Sequence, residues 1–443
     1  MNRKIKKIAL INPKKDLSKQ NPRIYQMFDR NNENLKLWFA PPLSLLIIAA
    51  HTPKDIEITI IDEFFEKIDF TQEYDLVGIT AMTQQANRAY EIAEIYRKKN
   101  TYVVMGGIHA TVMPDEALQN VNTVFLGESE ETWELFLNEF KSGNEKKIYS
   151  SSKVTNLGFS KRPRYELINY EQYKSISSYF KFLPVQATRG CPHDCSFCVV
   201  SKFYGRKIRK KSIEQVVRDI EYIQSLKYDS LLMFTDDNFF VDRKYAKELL
   251  KALISLKIKF VAQSDVKLAD DNELMELAYK SGCVMVLVGF ESINPCSISE
   301  VNDNNWKMRQ IANYETTIKK IQSNGIVVFG AFVIGFKSDN LNSFQHVRDF
   351  ALKNNIPGQF TLLTPIPGSR VYSEMEKEDR LLKKEFWDNC SFFDMNIKHD
   401  KIPKEEAEKQ IVWLHEQVYS DENVMKRNYH MMQIYKKLPP RWN

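Results

Sequence analysis

The chain has 443 residues, of which 43% are hydrophobic and 27% are charged, and its formal net charge is +6 at pH 7. This balance excludes a disordered or fibrous chain. The chain is longer than a domain with a single hydrophobic core usually is, so we expect two domains and a C-terminal extension. A charge of +6 spread over so long a chain is weak evidence for nucleic acid, and no nucleic-acid partner is expected.

Residues 1–150 alternate between short apolar strands and helical patterns, which predicts an α/β domain with a doubly wound parallel sheet of the flavodoxin-like type. A helix is predicted from the Pro41-Pro42 pair to Ala50, and the polar segment 14–36 is predicted to be a long loop. The predicted strands are 8–11, 56–61, 76–79, 102–105 and 123–126. Ligands of such sheets lie beyond the carboxyl ends of the strands, where Gly106 and Gly107 would let a large ligand approach the backbone.

Residues 151–180 are expected to form a linker, and residues 181–370 a partial (β/α)6 TIM-like barrel. The predicted barrel strands begin with the run 182–188, in which 183–187 is the most regular part, and continue at 231–234, 260–263, 284–289, 327–333 and 360–363. Helix signals separate them: a capping box from Ser212 to Gln215, a cap at Asp270, and helix ends at Gly282 and Asn324. Residues 371–443 are predicted to be a helical region that closes the active site.

Three cysteines in a CxxxCxxC spacing, Cys191, Cys195 and Cys198, follow the first predicted barrel strand. Thiolates at this spacing fit an iron–sulfur cluster or zinc, but a structural zinc site needs a fourth ligand. His193 is enclosed between two of the cysteines, and the remaining cysteines are single and distant. The spacing therefore favours a four-iron, four-sulfur cluster with one iron open to a small molecule. A zinc knuckle or a plain electron-transfer cluster is the alternative.

This motif, with Phe197 before its last cysteine, resembles that of the radical S-adenosylmethionine (SAM) enzymes. The resemblance implies that SAM binds the open iron and is cleaved reductively to methionine and a 5'-deoxyadenosyl radical, which removes hydrogen from an unactivated carbon. Segments 234–239 and 289–292 resemble the SAM motifs that follow the second and fourth strands of that family. The implied SAM contacts are Phe197, Asp236, Asp237, Gln263, Glu291 and Ser292. For any single carboxylate, an ordinary cap or loop salt bridge is the alternative.

The first domain resembles the cobalamin (B12)-binding domain that often precedes a radical SAM barrel. The resemblance implies cobalamin contacts from Thr80, Met82, Gly106 and Gly107. The Asp-x-His-x-x-Gly motif that supplies the cobalt ligand in that family is missing, because no histidine occurs before His51. Cobalamin would therefore bind without a histidine ligand, and His109 is expected to be a loop residue. The alternative is a flavodoxin-like domain that only covers the barrel mouth.

A basic run with two aromatic residues follows the cysteine loop. Its members are Lys202, Arg206, Lys207, Arg209, Lys210 and Lys211, with Phe203 and Tyr204 among them. Nucleic acid could stack on such a segment, but it is short. We expect it to frame the SAM carboxylate and to dock an acidic flavodoxin- or ferredoxin-type electron donor. A solvated surface is the alternative.

In the C-terminal part, segment 363–369 resembles a turn of cobalamin-type radical SAM proteins, including lipid-modifying ones. Residues 371–443 contain apolar anchors, and a helix is predicted over 405–418. The anchors are Trp387, Phe392, Phe393 and Trp413. Cys296 and Cys390 could donate hydrogen to a radical, but a buried structural role is the expectation for both.

The chain is expected to stay in the cytoplasm. Its longest apolar run, 41–50, is about half of a membrane span, and residues 1–7 do not lead into a signal-peptide core. Six cysteines, three of them clustered, fit a reducing compartment in which thiolates hold metal.

Together these resemblances imply cobalamin-dependent C-methylation of a small-molecule or lipid substrate in a biosynthetic pathway. A radical rearrangement, cyclisation or coupling with a purely structural first domain is the nearest alternative. An RNA methylthiotransferase would normally add a basic C-terminal RNA-binding domain, which the sequence does not suggest. The last alternative is a non-catalytic iron–sulfur carrier. Lipid, peptide, sugar and antibiotic precursor all stay open as substrates.

Overall fold

The computed structural model describes residues 3–29, 40–151, 156–174, 182–301 and 305–442. Within these residues, two parallel sheets of six strands each form the framework. The first contains β1 (Lys7–Asn12), β2 (Glu57–Asp62), β3 (Leu76–Thr80), β4 (Tyr102–Gly106), β5 (Thr123–Leu126) and β6 (Ile148–Ser150). The chain continues with β7 (Phe182–Val185), β8 (Thr188–Arg189), β9 (Arg209–Lys210), β10 (Leu231–Phe234), β11 (Phe260–Ser264), β12 (Cys283–Glu291), β13 (Val327–Ile334) and β14 (Gly358–Leu362).

The first sheet has the strand order β2-β1-β3-β4-β5-β6, which confirms the doubly wound, flavodoxin-like prediction. The sixth strand was not predicted, since only Tyr149 of its three residues is buried and no apolar run marks it. The strand order reverses between β1 and β3, and the carboxyl ends beside this point form the edge at which such sheets bind ligands.

The helices of this part are α1 (Pro22–Asp29), α2 (Leu43–Ala50), α3 (Ala86–Lys98), α4 (Gly107–Val112), α5 (Pro114–Asn120) and α6 (Glu130–Ser142). The expected long loop 14–36 is wrong for residues 22–29, where α1 buries Ile24 against the core of the second sheet. Residues 30–36 of that expected loop lie outside the described residues. Helix α2 is apolar on more than one side because Leu45 packs in the first sheet's core and Leu46 in the second's.

The second sheet has the order β14-β13-β12-β11-β10-β7 and all its strands are parallel, so it forms the predicted partial barrel, open between β14 and β7. The predicted continuous strand 182–188 is wrong. Strand β7 ends at Val185, and β8 turns away to pair antiparallel with β9. The reason lies in Asp236, whose carboxylate accepts the N–H groups of Ala187 and Thr188 in place of a neighbouring strand.

The remaining helices are α7 (Tyr170–Lys174), α8 (Val200–Phe203), α9 (Ile213–Ser225), α10 (Arg243–Leu253), α11 (Asn272–Ser281), α12 (Pro295–Ser299), α13 (Tyr314–Ser323), α14 (Asn342–Lys353), α15 (Arg370–Lys377), α16 (Lys404–Val418) and α17 (Asp421–Tyr435). The capping box of Ser212 and the helix ends at Gly282 and Asn324 are confirmed. The cap predicted at Asp270 is wrong by one residue, because it is Asp271 whose carboxylate accepts the Leu274 N–H.

The segment before the barrel and the C-terminal region both pack on the two sheets. In the former, the Tyr165 hydroxyl donates to the carbonyl of Pro184, and that of Tyr173 donates to Asp62. Helix α16 packs against α14 and β14, so the C-terminal region covers one edge of the open barrel. Trp387 and Phe393 are buried, while Phe392 and Trp413 are half-buried. No helix in the described ranges is long and apolar enough to cross a membrane.

Candidate active site

The cysteine loop begins where the β8–β9 ribbon leaves the barrel. Gly190 has a φ of +96°, and a Cβ atom there would lie 2.6 Å from the carbonyl oxygen of Lys207, so the turn requires glycine. The N–H of Gly190 donates to Asp237, and the N–H of Cys191 donates to the carbonyl of Gly205. These bonds hold the start of the loop against the ribbon and the end of β10.

The second half of the loop is held by distant parts of the chain. The N–H of Ser196 donates to the carbonyl of Val301 at 2.7 Å, and its hydroxyl donates to the carbonyl of Glu300 at 3.0 Å. The carbonyl of Ser196 in turn accepts the N–H of Val371. The loop that carries the thiols is therefore fixed by the segment after β12 and by the C-terminal region.

The three thiols Cys191, Cys195 and Cys198 form no disulfide and lie half-buried on this one loop. Burial raises the pKa of Cys191 to about 11 and that of Cys198 to about 12, so metal binding is needed to hold them as thiolates. Among the residues that the structure describes, no group of three His, Cys, Asp or Glu side chains is arranged to hold one metal ion. In a cluster each thiolate binds its own iron, so this donor set fits a four-iron, four-sulfur cluster.

Two adjacent carboxylates after β10 have different surroundings. Asp236 is fully buried and accepts the N–H groups of Ala187 at 3.1 Å and Thr188 at 2.5 Å, so it holds the backbone that enters the cysteine loop. Asp237 is half-buried and accepts the N–H of Gly190. Burial raises the pKa of Asp236 to about 7 and that of Asp237 to about 6. Of the pair, Asp237 is the one with surface left for a ligand.

Glu291 ends β12 and has a buried cationic partner. Its Oε1 atom lies 2.6 Å from Nζ of Lys307, which also donates to the carbonyl of Gly289. Although burial alone would lower it, the Glu291 carboxylate holds the pKa of Lys307 above its ordinary value. Sequence reasoning missed Lys307, because a single lysine in a polar segment carries no pattern that predicts burial.

A further group braces the cysteine loop from the barrel side. Nε2 of His193 lies 2.9 Å from Asp265, which also accepts a hydrogen bond from the Asn238 side-chain amide. The His193 ring stacks on Trp306 with 4.3 Å between the ring centres. His193, Asp265 and Asn238 were near the predicted site by position, whereas nothing in the sequence singled out Trp306.

The other residues proposed for SAM lie at the same rim of the barrel. Phe197 is half-buried, and its ring centre lies 6.3 Å from that of Phe336 in an edge-on arrangement. Gln263 is half-buried, and its carbonyl accepts the N–H of Phe239. Ser292 is buried, and its hydroxyl accepts the N–H of Asn294, so it shapes the turn after β12.

A cavity of about 470 Å³ lies between the carboxyl ends of the first sheet and the barrel. Thr80, Gly106 and Gly107 line it, together with Met233 and Thr235 from β10 and the residue after it. Met82 is not among the lining residues and is 45% exposed. The apolar part of the wall is formed by Leu10, Leu43, Leu45, Ile47, Ile48, Ile79, Val104, Phe125 and Trp133.

Four glycines, Gly78, Gly106, Gly107 and Gly127, bring backbone to the wall of this cavity. A Cβ atom at Gly107, whose φ is +92°, would lie 2.9 Å from backbone atoms of Ala81. Backbone walls and apolar side chains at the carboxyl ends of a parallel sheet fit a large flat cofactor with a polar tail, such as cobalamin.

His109 is a helix residue in α4, so the expected loop position is wrong. It is fully buried, its Nε2 atom lies 2.8 Å from the Tyr90 hydroxyl and 3.5 Å from Glu116, and it does not line the cavity. The indole N–H of Trp387 donates to the same Glu116 carboxylate at 2.9 Å. His109 therefore belongs to the contact between the first sheet's helices and the C-terminal region.

The basic run divides into buried and exposed members. Arg209 forms an ion pair with Glu128, and Lys211 forms one with Asp219. Four members are exposed, namely Lys202, Arg206, Lys207 and Lys210. Arg206 donates a hydrogen bond to the carbonyl of Pro192 inside the cysteine loop, so this exposed cation lies beside the loop, whereas Lys210 pairs with Asp242.

Of the two cysteines expected to be buried, Cys390 is buried and Cys296 is exposed. The expectation for Cys296 is wrong because α12, which carries it, is a short helix at the surface side of the turn after β12.

Two family models match the chain. The model of the radical SAM superfamily matches residues 185–351, and that of the B12 binding domain matches residues 39–137. The first match covers the cysteine loop and strands β10 to β13, and the second covers β2 to β5.

The chain is 30% identical over 393 residues to bacteriochlorophyllide d C-12(1)-methyltransferase of Chlorobaculum tepidum. This match covers 87% of the chain and 84% of the relative. Among solved structures, TsrM from Kitasatospora setae, a radical SAM methyltransferase with cobalamin and a [4Fe-4S] cluster bound, has a TM-score of 0.67 at 16% identity. That match covers 85% of this chain and 75% of TsrM. The cobalamin-dependent S-adenosylmethionine radical enzyme OxsB has a TM-score of 0.68 at 13% identity. That match covers 99% of this chain and 70% of the OxsB chain.

Proposed function

We propose that this chain, which belongs to the radical SAM enzymes with a B12-binding domain, transfers a methyl group to an unactivated carbon of a small-molecule or lipid substrate. Its cofactors are a four-iron, four-sulfur cluster, SAM and cobalamin. The observation that carries the methyl-transfer proposal is the shared cavity: Thr80, Gly106 and Gly107 at the carboxyl edge of the first sheet line the same space as Met233 and Thr235 of the barrel. A cofactor held by the first domain would therefore face the barrel mouth.

When bound, the cluster with SAM supplies a hydrogen-abstracting radical, and methylcobalamin supplies the methyl group. The chain itself supplies ligands, orientation and exclusion of water. We propose Cys191, Cys195 and Cys198 as the cluster ligands. Their loop is held at both ends by hydrogen bonds to its backbone, so it would hold a bound cluster in one position relative to the barrel.

For SAM we propose Asp237 and Glu291 as the polar contacts, with Phe197, Gln263 and Ser292 shaping the site. Asp237 suits the SAM ammonium because it is half-buried beside the cysteine loop. Lys307 neutralises Glu291, so a Glu291 contact would be made to hydroxyl groups rather than to a cation. Asp236 was expected among these contacts, and its complete burial supports a role in holding the backbone instead.

For cobalamin we propose Thr80, Gly106 and Gly107 as contacts. Met82 lies outside the cavity wall, which argues against a direct contact. Within the described residues, no histidine lines the cavity, which supports binding without a histidine ligand to cobalt. The large apolar wall would exclude water from the cofactor.

The cluster also needs an external electron, and we propose an acidic flavodoxin- or ferredoxin-type donor. Exposed Lys202, Arg206 and Lys207 lie beside the cysteine loop and would attract such a donor electrostatically. The reducing environment that this chemistry and the cysteine loop need supports the cytoplasm as the location.

Turnover of the reconstituted enzyme with SAM, a reductant, methylcobalamin and candidate acceptors tests methyl transfer. S-adenosylhomocysteine formed together with 5'-deoxyadenosine and a product heavier by one methyl group supports it. If 5'-deoxyadenosine forms with an isomerised or cyclised product and no S-adenosylhomocysteine, the methyl-transfer proposal is wrong and the reaction is a radical rearrangement or cyclisation.

A further inference from the structure

Arg189 is the residue before the Gly190–Cys191 turn, and its guanidinium is bound on three sides. It lies 2.7 Å from Glu128, 2.6 Å from Glu130 and, through Nε, 2.6 Å from the side-chain oxygen of Gln186. Only 4% of the Arg189 side chain is exposed, and the two glutamate side chains are 8% and 6% exposed. This is a buried, charge-assisted contact between the two sheets' domains.

A second arginine completes the charge balance. Arg209 of β9 lies 2.5 Å from Glu128 and also donates to the carbonyl of Tyr204. The buried group, which we call the arginine–glutamate cluster, thus contains Arg189, Arg209, Glu128 and Glu130. Its two positive and two negative charges balance, which is the condition under which buried ions are tolerated.

The arginine–glutamate cluster connects two parts of the candidate active site. Glu128 lies in the turn between β5 and α6, and Glu130 is the first residue of α6. Both line the cavity proposed for cobalamin, as does Arg189. On its other side, Arg189 is continuous with the cysteine loop. One planar side chain therefore joins the cavity wall to the backbone that carries the first predicted cluster ligand.

We propose that Arg189 is a positioning residue that fixes the cobalamin cavity relative to the cysteine loop through Glu128 and Glu130. The identity of the cofactor rests on the proposed function, whereas the link that Arg189 makes to Glu128 and Glu130 does not. Lysine carries the same charge but has no fork that can bind two carboxylates and an amide at once, so Arg189→Lys removes the link and keeps the charge.

The first arm of the test measures amide hydrogen exchange of the full chain without cobalamin. The N–H of Gly127 donates to the Thr111 hydroxyl and that of Trp133 donates to the Ser129 carbonyl, so peptides over 126–134 report on this turn. We expect exchange in these peptides to become at least about tenfold faster in Arg189→Lys. The control is Asp219→Asn, which breaks the buried pair between Asp219 of α9 and Lys211, the residue after β9, and should leave these peptides unchanged.

The second arm titrates the cluster-loaded protein with hydroxocobalamin and follows the absorption spectrum. We expect Arg189→Lys to bind about tenfold more weakly or worse, with iron and sulfide content equal to the parent protein. Glu130→Gln provides a second variant, since it weakens the same link without changing Arg189, and it decides the matter if Arg189→Lys does not fold.

Unchanged exchange over 126–134 together with unchanged hydroxocobalamin affinity in both variants would overturn the proposal. Loss of iron in parallel with cobalamin would also overturn it, because Arg189→Lys would then disturb the cysteine loop itself and not only its position relative to the cavity. If the parent protein binds no hydroxocobalamin, the proposed function fails, and the exchange arm alone decides the link.

Discussion

Nζ of Lys307 lies 2.6 Å from Oε1 of Glu291, and both residues are buried at the rim of the barrel. Lys307 also donates to the carbonyl of Gly289, which is two residues before Glu291. A Cβ atom at Gly289 would lie 2.4 Å from the same Glu291 oxygen, so glycine is needed for the carboxylate to turn back over its own strand. The cation, the carboxylate and the glycine form one unit at the end of β12.

The first prediction is that Lys307→Met destabilises the protein strongly, because it leaves the buried Glu291 carboxylate without a partner. Loss of one partner of a buried pair costs on the order of 3–5 kcal/mol. Urea denaturation under anaerobic conditions measures the change in the free energy of unfolding. The control is Lys337→Met, since the exposed Lys337–Glu378 pair at 3.6 Å should contribute about 0–1 kcal/mol. Equal effects of the two substitutions would contradict the structural role given to Lys307.

The second prediction concerns pH and Asp236. Burial raises its pKa in the folded protein to about 7, above its ordinary value of 3.8. Between these values the folded protein holds a proton that the unfolded chain has released, so the stability contributed by this group is complete below about 4 and lost as the pH rises towards 7. The free energy of unfolding of the parent relative to Asp236→Asn should therefore fall with pH by at most about 1.4 kcal/mol per unit over this range.

The measurement is denaturant unfolding of both proteins between pH 5 and 8. A difference between them that is flat over the whole interval would contradict the assignment. Asp339→Asn serves as a comparison at pH 8, because Asp339 is also buried and also accepts two backbone N–H groups, those of Gly335 and Phe336. Each substitution should cost about 1–3 kcal/mol at that pH through the lost hydrogen bonds.

The third prediction separates backbone strain from crowding at the cavity. Gly107 and Gly143 both have a positive φ, but an added Cβ atom meets Ala81 at 2.9 Å in the first case and nothing within 4 Å in the second. Gly143→Ala should cost about 1 kcal/mol, whereas Gly107→Ala should cost more and should also weaken hydroxocobalamin binding. Thermal unfolding and absorption titration measure the two effects. Parent-like cobalamin affinity in Gly107→Ala would argue against this edge as the binding site.

The sequence predicted the parts of the fold that depend on local patterns. The apolar strands, the capping box of Ser212 and the three cysteines were all visible in short windows. The polar segment that contains α1 was predicted as a loop, because its helix is stabilised by packing of Ile24 on the distant barrel core. Propensity cannot reveal such a contact.

The site was predictable in position but not in its charge pairing. The ends of parallel strands converge at one edge, so Asp237 and Glu291 could be placed near the cysteine loop from the sequence. Arg189 pairs with Glu128 from 61 positions away, and Lys307 pairs with Glu291 from 16 positions away. The sequence around Arg189 and Lys307 contains no pattern that predicts a buried ion pair. These contacts exist only once the two domains are docked and the loop after β12 is folded.

The fourth prediction tests the proposed electron-donor surface. Reversing the charge of Lys202, Arg206 and Lys207 to glutamate should slow reduction by an acidic flavodoxin about tenfold or more at low salt and less at high salt. Reduction by dithionite, which needs no docking, should keep its rate. The control is Lys436→Glu, an exposed lysine just after α17. Equal slowing by the control, or no slowing by the triple variant, would contradict the proposal that this surface docks the electron donor.

The most direct test of the central claim is anaerobic reconstitution of the full chain with iron, sulfide and hydroxocobalamin, followed by metal analysis and reaction with SAM and dithionite. We expect about four irons and four sulfides per chain. We also expect one cobalamin and the formation of 5'-deoxyadenosine, with the iron–sulfur cluster and this product both lost when Cys191, Cys195 and Cys198 are replaced by alanine. A chain that held a single zinc ion on these three thiols and left SAM intact would contradict it.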